Sequence, residues 1–168
     1  MSSTFVTRLA RFLILLFFQV LILNQVHLLG YITPLLIGYM VVCFRSGTSR
    51  IGMLLWGFSM GLAFDIFSNT AGMGASAMTL IAMIQPSLLT LFAPRDATED
   101  FTPTFRTLGF WTYLLYVFIL MFVLHSVFYL LDAFTLVNWQ LTFLSIGGST
   151  FMATFITIFI ELLVHPKS

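Results

Sequence analysis

Residues 56–96 read WGFSMGLAFDIFSNTAGMGASAMTLIAMIQPSLLTLFAPRD. The stretch opens on an apolar segment that carries Gly57 and Gly61 at helical spacing and ends in Asp65. A charge-free turn of Gly, Ser and Asn follows, with Gly72 near its close. A second apolar segment is broken by Gln85-Pro86 and closed by Pro94-Arg95-Asp96. Two apolar runs joined by a short polar turn predict two antiparallel helices. Helices are what an apolar chain forms in lipid, where no water is present to satisfy backbone groups.

The rest of the chain has the same character. Of 168 residues, 60% are hydrophobic and 8% charged, and mean hydropathy is +1.04. A water-soluble domain carries roughly 25% charged residues, so the solvent for most of this chain is a lipid bilayer. A net charge of +1 supplies no basic field for nucleic acid. The lone cysteine, Cys43, excludes an intrachain disulfide and a cysteine-based metal cluster. The first apolar run is followed by no small-residue cleavage site and leads into more membrane, so no cleaved signal peptide is expected.

Splitting the apolar runs at charges, Pro and Gly predicts one membrane domain, 1–168, of six transmembrane helices at about 9–26, 28–44, 51–67, 73–92, 108–131 and 139–164. Each approaches the roughly 20 residues a spanning helix needs. Pro34 is expected in the first turn of the second, where its missing N–H costs nothing. The connections after the first, third and fifth segments hold Asn24, Gln25 and His27, then Asp65, Ser68 and Asn69, then Asp132 and Asn138, without Lys or Arg. The other connections and the two ends hold all seven basic residues: Arg8, Arg11, Arg45, Arg50, Arg95, Arg106 and Lys167. The positive-inside rule then makes both termini cytoplasmic. The one substantial loop, 94–107, falls on that side.

Asp65 shares a helix face with Gly57 and Gly61, and small residues four apart allow another helix to approach closely. The outer side has no basic residue to pair with Asp65. It must be hydrated, protonated, hydrogen-bonded to groups such as Asn24, Gln25 or His27, or paired with another chain. Its bland role is an interfacial helix end. Pro86 predicts a kink, and Gln85 should face protein rather than lipid. His27, His125, Asp65 and Asp132 all fall toward outer helix ends but lack metal-ligand spacing, so interfacial polarity is the simpler reading. Trp111, Tyr113, Tyr31 and Trp139 suit interfacial belts. The hydroxyl-rich run Ser145, Ser149, Thr150, Thr154 and Thr157 suits helix packing and bonds to the preceding turn, and Glu161 is expected in solvent. No nucleophile–base motif is present. The expectation is therefore no enzyme, no cofactor and no metal.

The run from Gly57 to Asp96 resembles the central signature of the bacterial rod shape-determining MreD family: a Gly-rich helix reaching Gly-Leu-x-x-Asp, a Gly-Met turn, a Pro-broken helix and a Pro-Arg-Asp exit. Gly57, Gly61, Leu62, Asp65, Gly72, Met73, Pro86, Pro94, Arg95 and Asp96 carry the resemblance, over about a quarter of the chain. Gln85 departs from it, since members often have Arg before the Pro. The resemblance implies an all-α membrane protein similar to the S components of energy-coupling-factor transporters, located in the bacterial inner membrane. It implies a non-enzymatic scaffold of the elongation machinery that supports cell shape and peptidoglycan synthesis. The implied partners are MreC first, then MreB, RodA and a class B penicillin-binding transpeptidase. Gly57, Gly61, Asp65 and the Pro86 kink would shape the partner surface. The alternative is a vitamin-type solute-binding transporter component, although the first helix has only Ala10 of the Ala-xxx-Ala docking face usual there.

Overall fold

A computed structural model describes residues 2–25, 32–94, 100–133 and 139–164. Among them the protein is all-helical, with no strand. In order come α1 (Ser2–Leu21), a 3-10 turn (Leu23–Gln25), a second 3-10 turn (Leu36–Gly38), α2 (Tyr39–Val42), α3 (Arg50–Ser68), α4 (Met73–Phe92), α5 (Phe105–Leu108), α6 (Phe110–Asp132) and α7 (Trp139–Val164). Four of these, α3, α4, α6 and α7, are long and apolar enough to cross a membrane, the pattern of a multi-pass membrane protein.

Local chemistry sets the helix ends. Ser49 starts α3 by accepting the Gly52 N–H on its side chain (3.2 Å). Asn69, in the left-handed conformation at φ 55°, ends it. Gly72 opens α4 at φ 81°, a backbone geometry that favours glycine. Thr104 and Thr107 close a reciprocal cap around α5.

Four of the six predicted helices match the structure to within about two residues. The first begins about two turns earlier than expected, at Ser2. The second is a correction. Over the described part of 28–44, an extended stretch leads through Pro34 and Leu35 into one 3-10 turn and one α-turn. Pro34 does not sit in a helical turn. Proline disfavours helical geometry in the residue before it, and Leu35 itself is extended at φ −88°, ψ 93°. This broken segment is the centre of the core: Leu35, Leu36, Ile37, Met40, Val41 and Val42 are all buried. The long helices surround it and turn Phe, Leu and Trp side chains outward. On α7, for example, Phe143, Phe151, Phe155 and Phe159 all face away from the protein.

Candidate functional site

The signature stretch forms the α3–α4 hairpin, and its small residues are the contact. A Cβ added to Gly61 would lie 2.4 Å from the Gly74 carbonyl oxygen and 2.5 Å from the Ala75 Cα. One added to Gly57 would meet the Ala82 Cβ at 2.9 Å. The two backbones touch, and nothing at Gly61 can move aside without separating the helices. Asp65 lies one turn further along the same face and is buried. Its Oδ1 accepts the Gly74 N–H (2.8 Å) and the Thr70 hydroxyl, and its Oδ2 accepts the Ala75 N–H (2.8 Å). These two amides are second and third in α4, where N–H groups have no partner within the helix. The positive end of the α4 dipole adds to the attraction.

The Gly57/Gly61/Asp65 face is thus occupied within the chain. That corrects the expectation of a face open to a partner. From the sequence, the candidate partners of Asp65 are neutral side chains such as Asn24, Gln25 or His27, water, a proton and a second chain. The actual partners are the N-terminus of α4 and one neutral side chain, the Thr70 hydroxyl, which is none of the three expected. Asn24 bonds Ser68 instead (2.7 Å), tying the end of α1 to the end of α3.

The broken segment poses the opposite problem, because extended backbone in a dry interior leaves amides and carbonyls without helical partners. Side chains from four surrounding helices supply them. Gln19 of α1 donates to the Pro34 carbonyl (3.1 Å) and accepts the Leu36 N–H (2.6 Å). His125 of α6 accepts the Leu35 N–H on Nε2 (3.0 Å) while its Nδ1 lies 2.7 Å from the Met121 carbonyl. Those contacts require a neutral ring with its proton on Nδ1. Tyr129 of α6 and Ser149 of α7 both accept the Thr33 N–H, each at 3.1 Å. Further along, the Tyr116 hydroxyl of α6 donates to the Val42 carbonyl (3.2 Å), and Gln85 Nε2 of α4 donates to the Phe44 carbonyl (3.2 Å) and to Tyr116 (2.9 Å). Irregular backbone at membrane depth is tolerated only where protein satisfies it in this way.

Gln85 faces protein, as its polarity requires, and is fully buried. The assigned helix α4 runs through Pro86 from Met73 to Phe92. His125 is buried in the core rather than at an interface, and so is Tyr113. Trp111 and Trp139 are exposed, as an interfacial belt requires. Glu161 is not in solvent: it is buried and accepts the Tyr39 hydroxyl (3.0 Å). On α7, Ser145 bonds back to the Leu141 carbonyl as expected (2.9 Å), whereas Ser149 reaches across to Thr33, and the buried Thr150, Thr154 and Thr157 hydroxyls make no bond to the preceding turn. Pro94 is exposed at the end of the hairpin. His27, Tyr31, Arg95, Asp96, Asn138, His165 and Lys167 lie outside the described residues. No cluster of metal-ligating side chains occurs among the described ones.

Three arginines meet in one place. A pocket of about 330 Å³ is lined by Arg8, Arg11 and Arg45, with Thr7, Tyr39 and the acidic Glu161 among its other walls. Arg8 donates to Thr48 Oγ1 (3.0 Å) and lies over the Phe44 ring, 5.6 Å from its centroid. Partial burial and the charges of Arg45 and Arg11 hold the Arg8 pKa below its ordinary value. The 45–48 turn is joined to the 100–104 loop through the Ser46 N–H and Phe101 carbonyl (3.0 Å).

Gln19, Tyr116, Tyr129 and Ser149 were not singled out as functional by sequence reasoning. The available signal was polarity inside an apolar run, since such a side chain needs a protein partner. Comparisons of the chain with protein-family models, curated proteins and solved structures return no match.

Proposed function

We propose that this chain is a non-enzymatic scaffold subunit of a bacterial elongation complex, a six-crossing MreD-like protein of the inner membrane that binds MreC. The observation that carries this reading is the fate of the signature residues. Gly57, Gly61, Asp65 and Gly72 are all used to lock one hairpin, and Gln85 pins the core segment to it. That is the economy of a rigid platform, in which Asp65, Gln85 and Gln19 serve the chain's own backbone. A partner helix would then meet the outer side of α3, where Leu55, Phe58, Leu62 and Ile66 form one exposed apolar stripe. The broken segment would count as the second crossing. It runs beside α7 from Ser149 to the neighbourhood of Glu161, roughly 18 Å at 1.5 Å per residue. With it, both termini fall on the arginine-bearing, cytoplasmic side. MreB, RodA and the class B transpeptidase would be reached through the same complex.

Depletion in a rod-shaped host is the test. Cells should round, and MreC should co-purify with the chain in mild detergent. Leu62→Arg on the outer stripe should reduce MreC recovery while leaving the thermal midpoint of the isolated protein unchanged. Normal shape with loss of uptake of one vitamin would replace this reading with the solute-binding one, which the polar pocket beside Tyr39 favours.

A further inference from the structure

The arginine pocket does not stand alone. Thr7, Arg11 and Tyr39 also line a second hollow of about 500 Å³, whose remaining walls are mainly apolar: Ala10, Ile14 and Phe18 on α1, Leu36 of the broken segment and Ile160 on α7. The two hollows therefore share a rim. One end is cationic, and the other is a greasy trough running along α1. From Thr7 to Phe18 the trough extends roughly 16 Å at 1.5 Å per residue, about half the 30 Å hydrocarbon thickness of a bilayer. It is one leaflet deep.

Three arginines line one pocket with a single carboxylate, Glu161, so positive charge is in excess there, and Arg11 and Arg45 both act on Arg8 as like charges. An anion would relieve that repulsion. The apolar trough selects an anion with a hydrocarbon tail over a soluble one. Basic pockets at the ends of membrane helices are suited to phosphate-bearing headgroups, and guanidinium groups match phosphate oxygens with paired donors. We infer that this juncture binds one anionic phospholipid of the arginine-side leaflet, its phosphate among Arg8, Arg11 and Arg45 and one acyl chain laid along α1 between Ala10 and Phe18. Arg8 is held in place by Thr48 and Phe44, so part of the headgroup site is ordered in advance.

The test uses the full chain in uncharged detergent, with its thermal midpoint followed against phosphatidylglycerol, phosphatidylcholine and inorganic phosphate. Long-chain phosphatidylglycerol should raise the midpoint saturably, while phosphatidylcholine and phosphate alone should not. Arg11→Gln and Arg45→Gln should each weaken the apparent affinity by about fivefold, read against each variant's own lipid-free midpoint. Ala10→Trp, at an exposed position of the trough, should weaken long-chain phosphatidylglycerol and spare a dihexanoyl form. An equal effect of phosphatidylcholine would overturn the proposal, as would a shift reproduced by inorganic phosphate, which would mark a site for soluble anions. Unchanged affinity in both arginine variants, or in Ala10→Trp, would do the same.

Discussion

The α3–α4 hairpin and the segment at 33–44 solve the same problem in opposite ways. Each must bury backbone where no water is available. The hairpin does it by removing side chains: both helices satisfy their own amides, Gly61 lets them touch, and the buried free amides at the start of α4 are closed by Asp65. The broken segment does it by adding side chains, borrowing Gln19, Gln85, Tyr116, His125, Tyr129 and Ser149 from its neighbours. The hairpin should therefore be intolerant of added volume, and the segment intolerant of lost polarity.

The sharpest way to break this contrast is at Gly61. Gly61→Val places carbon against a backbone oxygen and Cα with no side chain to give way. It should cost more than about 4 kcal/mol, the range reserved for gross packing faults, and the folded yield from membranes should collapse. Next is Gln19→Leu, which keeps the volume and removes the polarity. Two backbone groups, the Pro34 carbonyl and the Leu36 N–H, lose their partners at about 1–3 kcal/mol each. The thermal midpoint should fall steeply, while the same change at a lipid-facing position should be silent. Asp65→Asn comes third. One oxygen can still accept an α4 amide, but the second acceptor and the charge at the helix N-terminus are lost, for about 1–2 kcal/mol. The expected readout is a lower midpoint, not selective loss of a partner. Smallest of all is Phe155→Leu, at a residue 66% exposed on the outer face of α7, which should stay within about 0.5 kcal/mol.

The same contrast explains what was legible in the sequence. The hairpin is written locally: Gly57, Gly61 and Asp65 follow one another at helical spacing, and the turn is a few residues long. Four helix spans, the burial of Gln85 and the close approach at Gly57 and Gly61 could be read from such patterns. The Asp65 partner could not, because a helix N-terminus is made of backbone amides and leaves no residue type to recognise. The broken segment was illegible for a different reason. Its run from Leu35 to Phe44 is as apolar as a spanning helix, and hydropathy does not distinguish a buried strap from one. What marks it is a polar partner far away in the chain: Leu35 and His125 are 90 positions apart, and Thr33 and Ser149 are 116 apart. Glu161 was misplaced for the same reason, since its partner Tyr39 is 122 positions upstream. Each such side chain, taken alone, looks like an interfacial residue.

The most direct test of the contrast is the backbone conformation of residues 32–44 in a lipid bilayer, read from NMR chemical shifts of the full chain. The expected result is extended shifts at Thr33, Pro34 and Leu35, helical shifts from Leu36 to Val42, and a neutral His125 ring with its proton on Nδ1 and Nε2 coupled to the Leu35 amide. Uninterrupted helical shifts from Ile32 through Phe44, with His125 Nε2 protonated, would contradict it.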